Sequence, residues 1–187
     1  MPSFPDLDEP LSGPGVQLRL AAERDIPEIL IAHQDDPLLH VRIGTPRPPS
    51  GAELGRRTEE QAAERAAGTG VWLTILRSGS DVCRGQLDVH HIDWDHQRAE
   101  LGLWIAPRER GQGLAGGSLA LAGRWLLRDC ELMRVELFTE PDNEPMIRAA
   151  RDAGFSEEGV LRGYLRERGA RVDVTVMSLI AGDLETA

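Results

Sequence analysis

The sequence predicts an α/β fold built on a mixed sheet in which most neighbouring strands are antiparallel. Its 187 residues, of which 41% are apolar, suffice for one domain with a full hydrophobic core. The apolar pattern changes between helical spacing and alternation in the order strand, two helices, three-strand meander, helix, strand, helix and hairpin. Only the stretch 97–139 has the strand–helix–strand pattern that joins parallel strands.

The N-terminal quarter precedes most of the predicted sheet. Residues 1–15 are rich in Pro, Gly and acidic residues, so we expect a flexible tail before a single domain at 16–183. A first strand is predicted at 16–20. Asp25 can cap a short helix, and four prolines indicate a loop over 35–49.

The rest of the chain alternates between the two periodicities. Ser50 and Glu53 form a capping box, which starts a helix that ends near Ala67. The remaining predicted elements are strands at 71–77, 82–92, 97–105 and 134–139, a helix that segment 110–117 opens and that reaches about Cys130, a helix from Asp142 or Asn143 to Gly154, and a hairpin of strands 159–166 and 171–179 that turns at Arg168, Gly169 and Ala170.

The charge balance restricts the kinds of partner. The chain carries 31 acidic and 21 basic residues, a net charge of −10. Such a chain is unsuited to general phosphate neutralisation, so no nucleic-acid partner is expected and a cationic partner is favoured. Cys83 and Cys130 lack Cys-x-x-Cys spacing and are predicted to be free thiols. Because signal-peptide features and long apolar runs are absent, the sequence predicts a cytoplasmic protein with no membrane partner.

The glycine-rich segment 108–117 carries the clearest chemical signal. It stands where a strand ends and a helix begins, and backbone N–H groups at a helix start can bind a phosphate. Glycine is needed there because side chains would block the close approach. Arg108 and Arg110 add positive charge beside it. The segment therefore predicts a site for a phosphate-bearing ligand.

Two nucleotide motifs match this segment incompletely. Gly111, Gly113 and Gly116 fit the dinucleotide fingerprint, and Glu136 stands at about the distance expected of its ribose-binding acid. That fingerprint normally opens a series of strand–helix–strand units, whereas here a meander precedes it and a hairpin follows. In the nucleotide triphosphate pattern, Gly117 stands where Lys is required. Both nucleotide interpretations are therefore disfavoured.

A third pattern, Arg110-x-x-Gly113-x-Ala115, is similar to the Gln/Arg-x-x-Gly-x-Gly/Ala loop of the GNAT acetyltransferases. Segment 99–105, before the loop, resembles the branch of that superfamily that acetylates ribosomal-protein N-termini. Further features after the loop resemble the same branch, namely Asn143, the Gly154–Phe155 pair eleven residues on, and segment 158–162.

The resemblance extends over about 16–180 and includes the order of elements. It implies a GNAT-type sheet of six to seven strands with helices on both faces. It also implies acetyl-CoA as the donor. Loop N–H groups would hold the pyrophosphate, the preceding strand would pair with the pantetheine arm, and an N–H near Leu103 or Trp104 would polarise the thioester carbonyl. Asn143 would bond the pantetheine arm as well as cap a helix. The implied cofactor-binding residues are Leu103, Trp104, Ile105, Arg110, Gly111, Gln112, Gly113, Leu114, Ala115 and Asn143.

Acetyl transfer needs a group that accepts the proton of the amine. Glu100 matches the strand acid of the ribosomal-protein branch, although a solvent-facing acid fits the pattern equally well. His90 and His91 are the alternatives. The meander turn would set His90 beside Ala99, one position from Glu100.

The family's usual proton donors to the departing thiolate are missing. Met146 and Ala150 stand where the resemblance implies a Ser or a Tyr. Tyr164, the single tyrosine, lies on the last hairpin and is a substitute, with a core or surface role as the alternative. Water is a further candidate.

Residues 90–96 also contain several metal-ligand side chains. Adjacent strand residues point to opposite faces, so His90 and His91 are not expected to share a metal. Asp93 and Asp95 suit a turn equally well. The sequence analysis therefore predicts no metal cofactor.

The predicted function is direct acetyl transfer from acetyl-CoA to an amine, on a protein N-terminus or a cationic small molecule. An acetyl-CoA-binding regulatory module with little or no turnover is the alternative, supported by the missing Ser and Tyr. A nucleotide-dependent enzyme is a second alternative. The sequence does not determine the oligomeric state, and a homodimer is compatible with it.

Overall fold

The predicted mixed sheet is present and has eight strands. The computed structural model describes residues 4–167 and 169–185. The strands of this described part are β1 (Leu11–Gly13), β2 (Val16–Leu20), β3 (Val71–Arg77), β4 (Gly85–Asp93), β5 (Arg98–Ile105), β6 (Arg134–Thr139), β7 (Ser156–Glu167) and β8 (Ala170–Ile180). They lie in the order β1-β2-β3-β4-β5-β6-β8-β7, with β5–β6 parallel and the other neighbours antiparallel.

Five α-helices accompany the sheet in the described chain. They are α1 (Ile26–Asp35), α2 (Leu39–Arg42), α3 (Gly51–Ala67), α4 (Leu114–Arg128) and α5 (Glu144–Asp152). Helix α3 starts at the predicted capping box, since the Ser50 hydroxyl accepts the Glu53 N–H and the Glu53 carboxylate accepts the Ser50 N–H. It ends at Gly68, whose φ of +71° favours glycine.

Helices cover both faces of the sheet, as predicted. On one face, α4 and α5 form the main core, in which Leu119 and Ile147 are buried. On the other face, Ile29 of α1 and Leu54 of α3 belong to a smaller apolar cluster. Trp104 of β5 packs against the smaller cluster, whereas the residues on either side of it pack on the main core. This division follows from the alternation of side chains along a strand.

The segment before β2 packs against the fold. Phe4 is buried, with its ring stacked on Trp125 at 5.7 Å and edge-on to Trp94 at 5.5 Å between centroids. Strand β1 pairs with β2 at the edge of the sheet. The prediction of a flexible tail over 1–15 is therefore wrong for its described part, and β1 makes the sheet larger than the six to seven strands expected. Residues 1–3 lie outside the described residues.

A buried ion pair fastens the start of α1 to the sheet. Arg19 of β2 donates two hydrogen bonds to the carboxylate of Asp25, at 2.9 and 2.7 Å. The same carboxylate accepts the Thr74 hydroxyl at 2.6 Å and the Ala22 N–H at 3.0 Å. Asp25 precedes α1 as predicted, but its side chain makes no capping bond to that helix. The carboxylate instead neutralises a buried guanidinium.

Smaller differences concern loops and strand ends. The predicted loop over 35–49 contains the short helix α2, and the last hairpin is longer than expected. Arg168, part of its predicted turn, lies outside the described residues. In the described chain, we find no helix with both the length and the apolar character needed to cross a bilayer.

Glu158 of β7 makes an acid-sensitive contribution to stability. Its carboxylate accepts hydrogen bonds from the Arg134 guanidinium at 2.7 and 2.6 Å and from the Ser178 hydroxyl at 2.7 Å. The Arg134 bonds, followed by the Ser178 bond, lower the pKa of Glu158 to about 2. Because this pKa lies below the unfolded value, the stabilisation is present above a pH of about 4.5 and is lost as the pH falls toward 2.

Glu158→Gln is therefore expected to lower the free energy of unfolding at neutral pH and to have little effect in acid. The side chain is 42% exposed, so solvent screening keeps the difference below about 1 kcal/mol. Urea unfolding of both proteins at neutral pH and at a pH of about 2 measures it. A difference that stays the same at both pH values would contradict this prediction.

Candidate active site

Strands β5 and β6 separate part-way along their length. Residues 98–100 pair with 134–136 in parallel register, and no later pair joins these two strands in the described chain. The backbone of 101–105 therefore has a free edge toward β6. Peptide groups at such an edge need a hydrogen-bonding partner, and an extended ligand can supply it.

The backbone directions along β5 decide which peptide groups face this gap. The Trp104 carbonyl points toward β4, because a Cβ added to Gly85 would lie 2.2 Å from it. The Ile105 carbonyl points to the other side and accepts the Nε–H of Arg110 at 3.1 Å. Since peptide groups alternate along a strand, the N–H and carbonyl of Leu103 face the gap.

The glycine-rich loop connects β5 to α4. Gly111 and Gly113 have φ angles of +73° and +82°, a conformation that favours glycine. At both positions, the space that a Cβ would occupy is open. The Gly117 N–H bonds the Gly113 carbonyl at 3.0 Å, so the N–H groups of the three residues between them have no partner within the helix. An anion can bind at this helix start.

Aspartates at the end of α1 bind both arginines of the loop. Arg108 pairs with Asp35 through two contacts, at 2.9 and 2.8 Å, and Arg110 pairs with Asp36 at 2.8 Å. Gln112 donates to the Arg108 carbonyl at 3.0 Å. Sequence analysis expected the two guanidinium groups to add charge for a phosphate. In the structure both guanidinium groups are bound by these aspartates, and the backbone N–H groups at the start of α4 are further donors.

Asn143 lies at the end of β6 and starts α5. Its Oδ1 accepts the Met146 N–H at 3.4 Å, so the helix cap is present. Its Nδ2 donates to the Thr139 hydroxyl at 3.0 Å. The side chain is thereby held beside the gap between β5 and β6.

Four side chains meet where β4 and β5 are opposite each other. His90 pairs directly with Glu100, and its Nε2 lies 3.5 Å from the carboxylate. His91 approaches the same carboxylate oxygen with Nδ1 at 2.9 Å. On the other side of the His90 ring, Nδ1 lies 2.7 Å from a carboxylate oxygen of Asp88. Asp88 was missed in the sequence analysis, although its position two residues before His90 sets it on the same strand face.

A β-bulge explains this arrangement and corrects two predictions. The register shifts between His90 and Asp93, and His91 adopts a φ of +47°. Because Asp93 pairs with Arg98, a regular ladder would set His90 opposite Leu101, and the extra residue in β4 sets it opposite Glu100, not beside Ala99 as predicted. It also interrupts the alternation of side chains, so His91 turns toward Glu100. The expectation that the two histidines point to opposite faces is therefore wrong.

The cluster is strongly polarised. Burial acts to raise the pKa of Glu100, but the bonds to His90 and His91 outweigh burial, and the pKa is lowered. The bonds of His90 to Asp88 and then to Glu100 raise the pKa of His90 to about 9. At neutral pH, a protonated His90 therefore lies between two carboxylates. An ionised Glu100 can accept a hydrogen bond from a further cation.

The candidates for a proton donor are not brought to this cluster. Tyr164 stacks on Phe138 of β6 at 5.5 Å and is 49% exposed, with no contact to Glu100 or His90 among the described residues. Ala150 is fully buried in the main core. Met146 is packed against the same core.

A model of the family described as "Acetyltransferase (GNAT) domain" matches residues 16–156. This chain belongs to the GNAT acetyltransferase family. The resemblance inferred from the loop is thereby confirmed, together with the mixed, mostly antiparallel GNAT fold.

Relatives within the GNAT family carry related names. An uncharacterized N-acetyltransferase, p20 of Bacillus licheniformis, is 29% identical over 58% of this chain and 61% of that protein. A putative ribosomal N-acetyltransferase, YdaF of Bacillus subtilis, is 29% identical, over 73% of this chain and 75% of the length of YdaF. The structure of Mycobacterium smegmatis RimJ in complex with CoA-disulfide has a TM-score of 0.81 at 26% identity, over 94% of this chain and 88% of that one.

Proposed function

We propose that this protein transfers the acetyl group of acetyl-CoA directly to an amine. The observation that carries the proposal is the gap between β5 and β6 with the glycine-rich loop at its end. The gap suits an extended arm that carries amide groups, and the loop suits a pyrophosphate. The CoA-disulfide bound to the RimJ relative supports the same donor. No metal is needed for this chemistry.

Acetyl-CoA is bound mainly by backbone groups. N–H groups from Gly111 to Ala115, including Leu114, hold the pyrophosphate, and the side chains of Arg110 and Gln112 keep the loop in shape. Leu103, rather than Trp104, directs its N–H at the thioester carbonyl, while Ile105 closes the strand beside the loop. Asn143 reaches the pantetheine arm from the other side of the gap.

The reaction proceeds without a covalent enzyme intermediate. Bound acetyl-CoA supplies an activated acyl carbon, the amine nitrogen forms a bond to that carbon, and the bond to sulfur breaks with release of the thiolate. Neither cysteine is suited to act as a nucleophile. Both are buried, and burial raises the pKa of the Cys83 and Cys130 thiols to about 12.

Glu100 accepts the proton that the attacking amine must lose. Its carboxylate is half-buried and held by His90, which Asp88 orients in turn. His91 is 72% exposed and gives the proton a route to water. Tyr164 is the candidate donor of a proton to the thiolate, a role that requires movement of its hairpin toward the gap.

The acceptor is a cationic amine, on a protein N-terminus or a small molecule. The net charge of −10 and the carboxylates around Glu100 favour such an acceptor over an anionic one. The name of the YdaF relative supports a ribosomal-protein N-terminus. Free buried cysteines support a cytoplasmic location, and a homodimer stays a prediction.

The donor is tested by calorimetric titration of the wild type and of Gly113→Glu with acetyl-CoA. We expect binding to the wild type and affinity at least about tenfold weaker in the variant, which is a loss of about 1.4 kcal/mol. The added carboxylate would repel the pyrophosphate, and a side chain at a φ of +82° would distort the loop.

Gly44→Glu is the matched control. Gly44 also has open space around its Cβ position and a φ of +71°, so this variant carries the same charge and a similar strain away from the loop. We expect it to bind acetyl-CoA as the wild type does. Equal affinity of Gly113→Glu and the wild type would overturn the proposed donor site. Binding without product from any amine would favour the regulatory module.

A further inference from the structure

We propose that His90, His91 and Glu100 form a binding site for one divalent transition-metal ion, with zinc as the best-suited ion. One ligand atom from each residue lies within 4.8 Å of the other two. Two imidazoles and one carboxylate are a ligand set that zinc takes in catalytic sites, with a fourth position open to water. The sequence argument against a shared metal relied on regular alternation, which the bulge at His91 removes.

The observed spacings are close to those that a tetrahedral ion requires. Bonds of about 2.0 to 2.1 Å from zinc place its ligand atoms about 3.3 to 3.5 Å from one another. His90 Nε2 already lies 3.5 Å from the Glu100 carboxylate, and His91 Nδ1 lies 2.9 Å from it. The second of these distances is shorter than an ion requires. A small rotation of the His91 side chain, which is 72% exposed, would lengthen it.

Asp88 gives the site the support that metal-binding histidines usually have. A histidine ligand commonly donates its second N–H to a carboxylate, which fixes the tautomer and the orientation of the ring. His90 has this arrangement, with Nδ1 at 2.7 Å from Asp88 and Nε2 directed at the cluster. Asp88 in turn lies over Gly102, where a Cβ would be 2.9 Å from its carboxylate. Only glycine at position 102 leaves Asp88 in this place.

The left-handed backbone of His91 is consistent with a binding role. A side chain at positive φ is held there by the surrounding structure, and such backbone strain is common at ligand sites. Here it turns a second imidazole toward the carboxylate that His90 already contacts. A regular strand would have directed His91 away from Glu100.

Metal binding and acetyl transfer exclude each other at this site. An ion that holds Glu100 and His91 occupies the lone pairs that would accept the proton of the amine. Metal occupancy is therefore expected to lower the rate of transfer, a consequence that rests on the proposed function. The binding site itself does not rest on it.

The test is a calorimetric titration of the full chain with Zn²⁺, free of added histidine tags and without acetyl-CoA or amine. We expect one Zn²⁺ per chain. His91→Ala removes an exposed ligand without disturbing the core. We expect it to weaken Zn²⁺ binding at least about tenfold, since even the loss of a residue that only supports a ligand has an effect of that size. Asp88→Asn should weaken binding about tenfold while leaving all three ligands present.

His96→Ala is the matched control. His96 is an exposed imidazole, 77% accessible, beside the Asp93 carboxylate at 2.9 Å, but it is not part of the cluster. We expect its removal to leave Zn²⁺ affinity unchanged. The proposal is overturned by a wild type that takes up no Zn²⁺, or by His91→Ala and His96→Ala having equal effects. Either result leaves the acetyl-CoA titration unaffected, so the two proposals fail separately.

Discussion

Glu100→Gln is expected to lower kcat for acetyl transfer about 100-fold or more and to leave acetyl-CoA affinity unchanged. General bases contribute about 10²- to 10⁴-fold to such reactions, and a neutral amide cannot accept the proton of an ammonium group. The substitution keeps the size of the side chain and its position on β5. Steady-state kinetics with a cationic amine, together with calorimetry for the donor, separate the two quantities.

Glu136→Gln provides a matched comparison. Glu136 pairs with Glu100 in the parallel register of β5 and β6, but its carboxylate is bound by Arg134 at 2.7 Å and is 9% exposed. We therefore expect a smaller change in kcat from this variant, because Glu136 faces an arginine rather than the histidine cluster. Equal kcat values for Glu100→Gln and the wild type would remove Glu100 as the proton acceptor.

Local chemistry in the sequence was enough to predict much of the fold and the donor loop. Glycines 111 and 113 have the positive φ angles that their motif requires, and Asn143 caps α5 as its position indicates. The capping box at Ser50 is also present. Each of these features depends on residues only a few positions apart, so pattern and spacing carry the information.

Features that depend on a distant partner were predicted less well. Phe4 gave no sequence signal for burial, because its stacking partner Trp125 is more than a hundred positions away. The prolines and acids around it suggested a tail, and tertiary packing overrode that composition. The bulge at His91 is a similar case, since one unpaired residue in β4 changes which side chains share a face with Glu100.

Helix α1 is held by ion pairs at both of its ends. At its end, Asp36 binds Arg110 of the loop, and at its start, Asp25 binds Arg19 of β2. The first pair joins the glycine-rich loop to the end of α1. The second holds the whole helix in place, and it is the more buried of the two.

Asp25→Ala is expected to lower the free energy of unfolding by about 3 to 5 kcal/mol, the usual loss when one partner of a buried ion pair is removed. Asp25 is 1% exposed and Arg19 is 8% exposed, so water cannot replace the lost carboxylate. Thr74 would also lose the acceptor of its hydroxyl at 2.6 Å. Urea unfolding followed by circular dichroism measures the change.

Asp81→Ala separates burial from charge in this network. Asp81 also accepts from Arg19, at 2.7 Å, but its side chain is 59% exposed, so we expect a much smaller loss than from Asp25→Ala. A double variant, Arg19→Met with Asp25→Leu, should recover part of the stability, because no unpaired charge is left inside while the Thr74 hydroxyl and the Ala22 N–H still lack their acceptor. Equal losses from Asp25→Ala and Asp81→Ala would show that burial of the pair does not set its contribution, and the role assigned to Asp25 in fixing α1 would then be wrong.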